Sequence, residues 1–156
     1  MQKLRARVAL PGDAFALRRR LEAEFLNRNR LFVLRIALAD FGIPGDVVLG
    51  KEVLVHARLV LDGVGLSNHL QVDFMPVTGS NLFPTFRGTL DVYPAEHGAE
   101  TILELLGSYA PPLGILGLAI DTTFGYLIAE RAMTDFLRQV ALELKVRVQQ
   151  DASAAV

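Results

Sequence analysis

The chain predicts an α+β fold, a curved antiparallel sheet of six or seven strands wrapped around one long C-terminal helix. Two observations carry this. Between residues 3 and 109 most segments alternate apolar and polar side chains, the period of a half-buried strand. Beyond Pro111-Pro112 the period changes to that of a helix and stays there almost to the end. The two prolines stop the last strand, because neither can donate to a ladder. A sheet with one apolar face and a helix with one apolar stripe must then cover each other.

Residues 3–10 alternate as Leu4, Arg5, Ala6, Arg7, Val8 and read as a short strand, ended by Pro11-Gly12. Asp13 can cap a helix over 15–25, where Leu17, Leu21 and Phe25 recur every four residues. Asn27-Arg28-Asn29-Arg30 breaks that pattern. Residues 31–39 fit a strand or a second helix, and Phe-Val-Leu-Arg-Ile favours the strand. Residues 40–50 hold three glycines and Pro44 and read as a turn region.

Residues 51–61 form the strongest strand pattern, with Val53, Val55, Ala57, Leu59 and Leu61 on one face. Asp62-Gly63 makes a turn. Residues 69–75 set Leu70, Val72 and Phe74 against His69, Gln71 and Asp73. Residues 82–93 put Leu82, Phe86, Leu90 and Val92 on one face, where Gly88 would let the strand bend or bulge. Residues 101–109 set Leu103, Leu105, Gly107 and Tyr109 opposite Ile102, Glu104, Leu106 and Ser108. A helix over 113–148 follows, with Phe124, Ile128, Ala132, Phe136, Val140 and Leu144 four residues apart and charges such as Glu130, Arg138 and Lys145 on the other side. Residues 1–150 make a single domain and 151–156 a flexible tail of small residues.

Composition narrows the function classes. Hydrophobic residues are 51% of the chain, an excess that suits a lined cavity, a homodimer interface or a dense core. Sixteen basic and 17 acidic side chains leave a net charge of −1, so nucleic acid is not an expected partner. Arg18-Arg19-Arg20 is offset at once by Glu22 and Glu24 and reads as a solvated helix face. With no cysteine, disulfides, thiolate catalysis and thiol-bound metal are excluded, and a cytoplasmic setting is expected. The N-terminus lacks the apolar core of a signal peptide, and the most apolar run, 110–120, is too short for a transmembrane segment.

The order strand, helix, five strands, long helix resembles the START/polyketide-cyclase (SRPBCC) superfamily, the helix-grip fold. Several short elements sharpen the resemblance to a bacterial branch whose ligands are unassigned. They are Leu82-Phe83-Pro84, Phe86-Arg87-Gly88-Thr89-Leu90, Tyr93-Pro94, Thr101 with Leu103 and Leu105, and Gly107-x-Tyr109-x-Pro111-Pro112-Leu113-Gly114-x-x-Gly117-x-x-x-Asp121. The resemblance as a whole covers roughly residues 66–141. The resemblance implies an apolar cavity between the long helix and the concave sheet face. It transfers no catalytic residue.

Read for chemistry, the chain offers little. His56 and His69 fall on the polar faces of their strands and His97 in a turn, without metal-ligand spacing. Ser108 lacks a Gly-x-Ser-x-Gly setting, and the Gly114–Gly117 spacing lacks the Lys-Ser/Thr of a phosphate loop. Tyr109 turns inward, and its hydroxyl needs a partner, a structural bond before a ligand. Asp121 suits a capping role before catalysis. Asp73 and Arg87 can pair across strands on the outer face.

The inward set is thus almost wholly apolar: Val55, Ala57, Leu59, Val72, Phe74, Phe86, Leu90, Leu105, Tyr109, Ile120, Phe124 and Ile128. Enzyme pockets converge several polar groups. The expectation is therefore binding or transport of a hydrophobic small molecule, lipid-, polyketide- or isoprenoid-like, with no cofactor and no metal. A cyclase or dehydratase using Tyr109 and Asp121, and a pocketless protein-interaction module, are the alternatives.

Overall fold

The computed structural model describes residues 2–26, 28–42, 44–46, 48–61, 68–77, 85–96, 100–110 and 122–154. Ile120, Asp121, His97, the turn at 62–63, residues 82–84, the Gly114–Gly117 pair and the helix start at 113–121 lie outside them.

Six strands form one antiparallel, curled half-barrel sheet in the order β1-β6-β5-β4-β3-β2. They are β1 (Gln2–Pro11), β2 (Asn29–Ala37), β3 (Val48–Leu61), β4 (Asn68–Pro76), β5 (Thr85–Pro94) and β6 (Glu100–Ala110). Helix α1 (Ala14–Phe25) joins β1 to β2, and α2 (Thr122–Ala154) follows β6. The ambiguous fourth decade is a strand because Phe32, Leu34 and Ile36 alternate into the core. A 3-10 turn, Leu38–Phe41, then ends it. The α2 backbone runs past Val148 and stays helical through Asp151–Ala154, where the sequence suggests a flexible tail. No helix among the described residues is long and apolar enough to cross a membrane.

Pro11-Gly12-Asp13 turns β1 into α1. Gly12 takes φ 130, which a side chain would strain, and the Asp13 carboxylate caps α1 by accepting from Ala16 N at 2.8 Å. Buried Thr101 on β6 clamps the turn by donating its hydroxyl to the Gly12 carbonyl at 2.6 Å. Leu17, Leu21 and Phe25 bury the inner stripe of α1.

The chain's first two strands are the two edges of the sheet, and α2 packs against both. Along β2 its polar side chains occupy free backbone groups: Arg35 N donates to Asp135 Oδ2 at 3.0 Å, and Gln139 Nε2 donates to Val33 O at 3.0 Å. These two groups are thereby withdrawn from pairing with another strand. Ala129, Ala132, Met133, Phe136, Leu137, Val140, Ala141 and Leu144 form the buried stripe of α2.

Candidate functional site

The register gathers most of the inward residues into rows across the concave face. Tyr109, Phe86, Phe74 and Val55 stand side by side on β6, β5, β4 and β3, and Val72 faces Ala57 in the next row. These six and Leu105 are buried. Leu59 shares the face but sits toward the far end of β3, opposite Leu70, and is 36% exposed. Ile128 on α2 is partly buried against the core. Phe124 lies in the first turn of α2, and its side chain is outside the described set.

Aromatic rings fill the middle of the groove. Phe25 stacks on Phe32 at 5.8 Å, Phe32 meets the edge of Phe136 at 4.9 Å, Phe136 meets Phe74 at 4.7 Å, and Phe74 meets Phe86 at 5.3 Å. Edge-to-face contacts of this kind add to area burial. The Phe86 ring lies over Gly88 and Gly107, which face each other across β5 and β6: a Cβ at either would fall 2.7 Å from its Cζ. The ladder runs through Gly88 without a bulge, and this glycine makes room for the ring.

Polar groups stand at both rims of the central row. At one rim the Tyr109 hydroxyl donates to Gln2 Oε1, and its ring lies 6.3 Å from Tyr126 on α2. At the other, Arg30, paired with Val55 in the register, donates to both Glu143 oxygens at 2.7 and 3.1 Å. Its guanidinium also sits 4.7 Å from the Phe25 ring centre and 5.3 Å from that of Phe32. One side chain thereby joins α1, β2 and α2. Arg30 escapes sequence reasoning because it looks like part of a polar break after α1, whereas alternation from Phe32 backwards places it on the inner face.

Burial pushes the Tyr109 hydroxyl above its ordinary value of 10.0, and Tyr126 adds to the effect. The neutral phenol is the form that can donate to Gln2. A raised folded-state value contributes stability that is present below pH 10.0 and is lost as pH rises through the folded value. Stability of the wild type is therefore expected to fall above that pH more steeply than in Tyr109→Phe. Tyr93, also raised by burial first and then by Glu104, keeps a share of the slope in both. Denaturant midpoints on either side of pH 10.0 test this, and parallel slopes would remove Tyr109 from the account.

On the outer face, His56 Nδ1 lies 2.7 Å from Asn29 Oδ1 and His69 Nδ1 lies 3.1 Å from Asp91 Oδ1. Glu104, only 9% exposed, accepts from Arg5 and Arg7 of β1. The bond to Glu104 is the main cause that raises the Arg7 guanidinium. Asp73 and Arg87 pair as the sequence suggests. Among the described residues no three His, Asp or Glu converge as metal ligands.

No protein-family model matches the chain, and no curated protein does. Among solved structures, the crystal structure of TTHA0849 from Thermus thermophilus is similar to it, with 16% identity over 94% of this chain and 99% of that chain, at a TM-score of 0.39.

Proposed function

We propose that this chain binds a hydrophobic small molecule, lipid-, polyketide- or isoprenoid-like, at the end of the groove where the first turns of α2 approach β1 and β6. The observation that carries the reading is open room around half-buried Gly125. This glycine lies one turn before Ala129, which is 1% exposed, on the stripe of α2 turned to the sheet. Among the described residues, a Cβ there would meet nothing within 4 Å. The interlocked rings confine a ligand to this end. Tyr109 and Gln2 would offer its polar atoms a hydroxyl and an amide, and Tyr126 and Ile128 an apolar wall. On this reading the protein is a cytoplasmic, cofactor-free member of the SRPBCC superfamily, and the helix-grip-like topology supports that placement.

Gly125→Leu tests it. The substitution puts a side chain into the space and replaces a poor helix former with a good one, a gain of up to ~1 kcal/mol. Binding of the neutral dye Nile red is expected to fall in this variant while the melting temperature holds or rises. Native mass spectrometry of freshly purified protein is expected to show a co-purified small molecule in the wild type. If Gly125→Leu melts lower and the wild type binds no dye, the space is already filled, and a pocketless interaction module becomes the better account.

A further inference from the structure

The outer face of the sheet carries a second arrangement that the groove does not use. The antiparallel register places Asn29, His56, Asp73, Arg87, Ser108 and Lys3 side by side on six successive strands. Two residues along the strands, Leu31, Leu54 and Met75 form a parallel apolar row on β2, β3 and β4. Leu31 and Met75 are exposed. Where the two rows meet there is a depression of about 390 Å³, lined by His56, Asp73, Met75, Thr85, Arg87 and Ser108 among others. That is within the size of small-molecule sites, about 300–1,000 Å³.

We infer that this depression binds the anionic head of an amphipathic small molecule, a carboxylate or phosphate joined to an apolar chain. Arg87 is the anchor. It donates through Nε to Asp73 Oδ1 at 2.5 Å, which fixes the guanidinium at one edge, while its side chain remains 70% exposed. A guanidinium held in this way presents its planar donors to an oxyanion with little further loss of rotamer freedom. His56, which also lines the depression, sits with Nδ1 2.7 Å from the Asn29 amide oxygen. Lys3 adds a positive charge next to Ser108 in the row, so Asp73 is outnumbered by cations. The Leu31–Leu54–Met75 row gives the apolar chain a shelf. The head is recognised on the outer face; Phe74 and Phe86 of the aromatic row also border the depression, and Gly125 does not.

Decanoate is the probe, with decanol as its uncharged counterpart and inorganic phosphate as a bare anion. Titration calorimetry on the full chain is expected to show decanoate binding that Arg87→Gln weakens by about ten-fold, the value of a charged hydrogen bond. Gly125→Leu leaves this binding in place, and decanol does not distinguish wild type from Arg87→Gln. In NMR titrations decanoate is expected to shift the amides of His56, Asp73, Arg87 and Ser108. Met75→Ser, which removes apolar surface from the shelf without adding a charge beside Arg87, provides a second variant that also weakens decanoate. Phosphate displacing decanoate would place the anionic head in the depression, as proposed. Decanoate binding that survives both outer-face variants, or that disappears in Gly125→Leu, would overturn the inference. So would shifts confined to Tyr109 and α2.

Discussion

Phe136→Ala is expected to destabilise the fold by about 3–5 kcal/mol, the range for deleting a buried ring. Phe136 is fully buried and is the ring that α2 contributes to the aromatic row. It presents edge contacts to Phe32 at 4.9 Å and Phe74 at 4.7 Å. Those partners stand on different strands of a hydrogen-bonded sheet, so they cannot both move into the vacated volume. Incomplete collapse is what places a site at the costly end of the range. Phe136→Leu keeps most of the volume and is expected to lose less, about 1–2 kcal/mol, with the edge contacts accounting for much of it. Denaturant midpoints at a common slope would measure both. A loss under about 1 kcal/mol for Phe136→Ala would mean that the ring does not hold helix to sheet.

That helix is legible in the sequence because its stripe repeats through Phe136, Val140 and Leu144, and all three are buried. The strand faces are legible for the same local reason: Val53, Val55 and Ala57, or Phe86 and Leu90, follow from alternation alone. What alternation cannot supply is register between strands far apart in the chain. β1 pairs with β6, and only that pairing brings Arg5 and Arg7 onto Glu104 and turns an apparently solvated carboxylate into a buried one. Arg30 and Glu143 meet for a similar reason, through a helix that crosses to the opposite edge. The outer-face depression needs four strands in register, and from the sequence only its Asp73–Arg87 pair can be read. Gly88 shows a further limit. A glycine in a strand signals close approach, but whether to a bend, a ligand or a ring depends on which residue faces it. Here that residue is a second glycine.

Gly107→Ala is expected to be the most damaging single-methyl change in the sheet, costing about 3 kcal/mol or more, beyond ordinary overpacking. An added Cβ would lie 2.5 Å from the Gly88 Cα and 2.7 Å from the Phe86 Cζ, and closer still to the Arg87 carbonyl oxygen. Two of these three atoms are backbone of the neighbouring strand. They cannot retreat without breaking the β5–β6 ladder, whereas a flexible side chain could swing away. Gly50→Ala is the matched control, because a Cβ on that strand glycine meets nothing within 4 Å. It is expected to be neutral or to stabilise by about 0.4–1 kcal/mol through the unfolded chain. The double variant Gly107→Ala with Phe86→Ala separates the two sources of strain. If the ring were the obstacle, removing it would recover much of the loss. Because the backbone is the closer neighbour, the double variant is expected to melt lower than either single one. A Gly107→Ala protein as stable as Gly50→Ala would mean that β5 and β6 are not packed glycine to glycine, and the seat of the Phe86 ring would need to be redrawn.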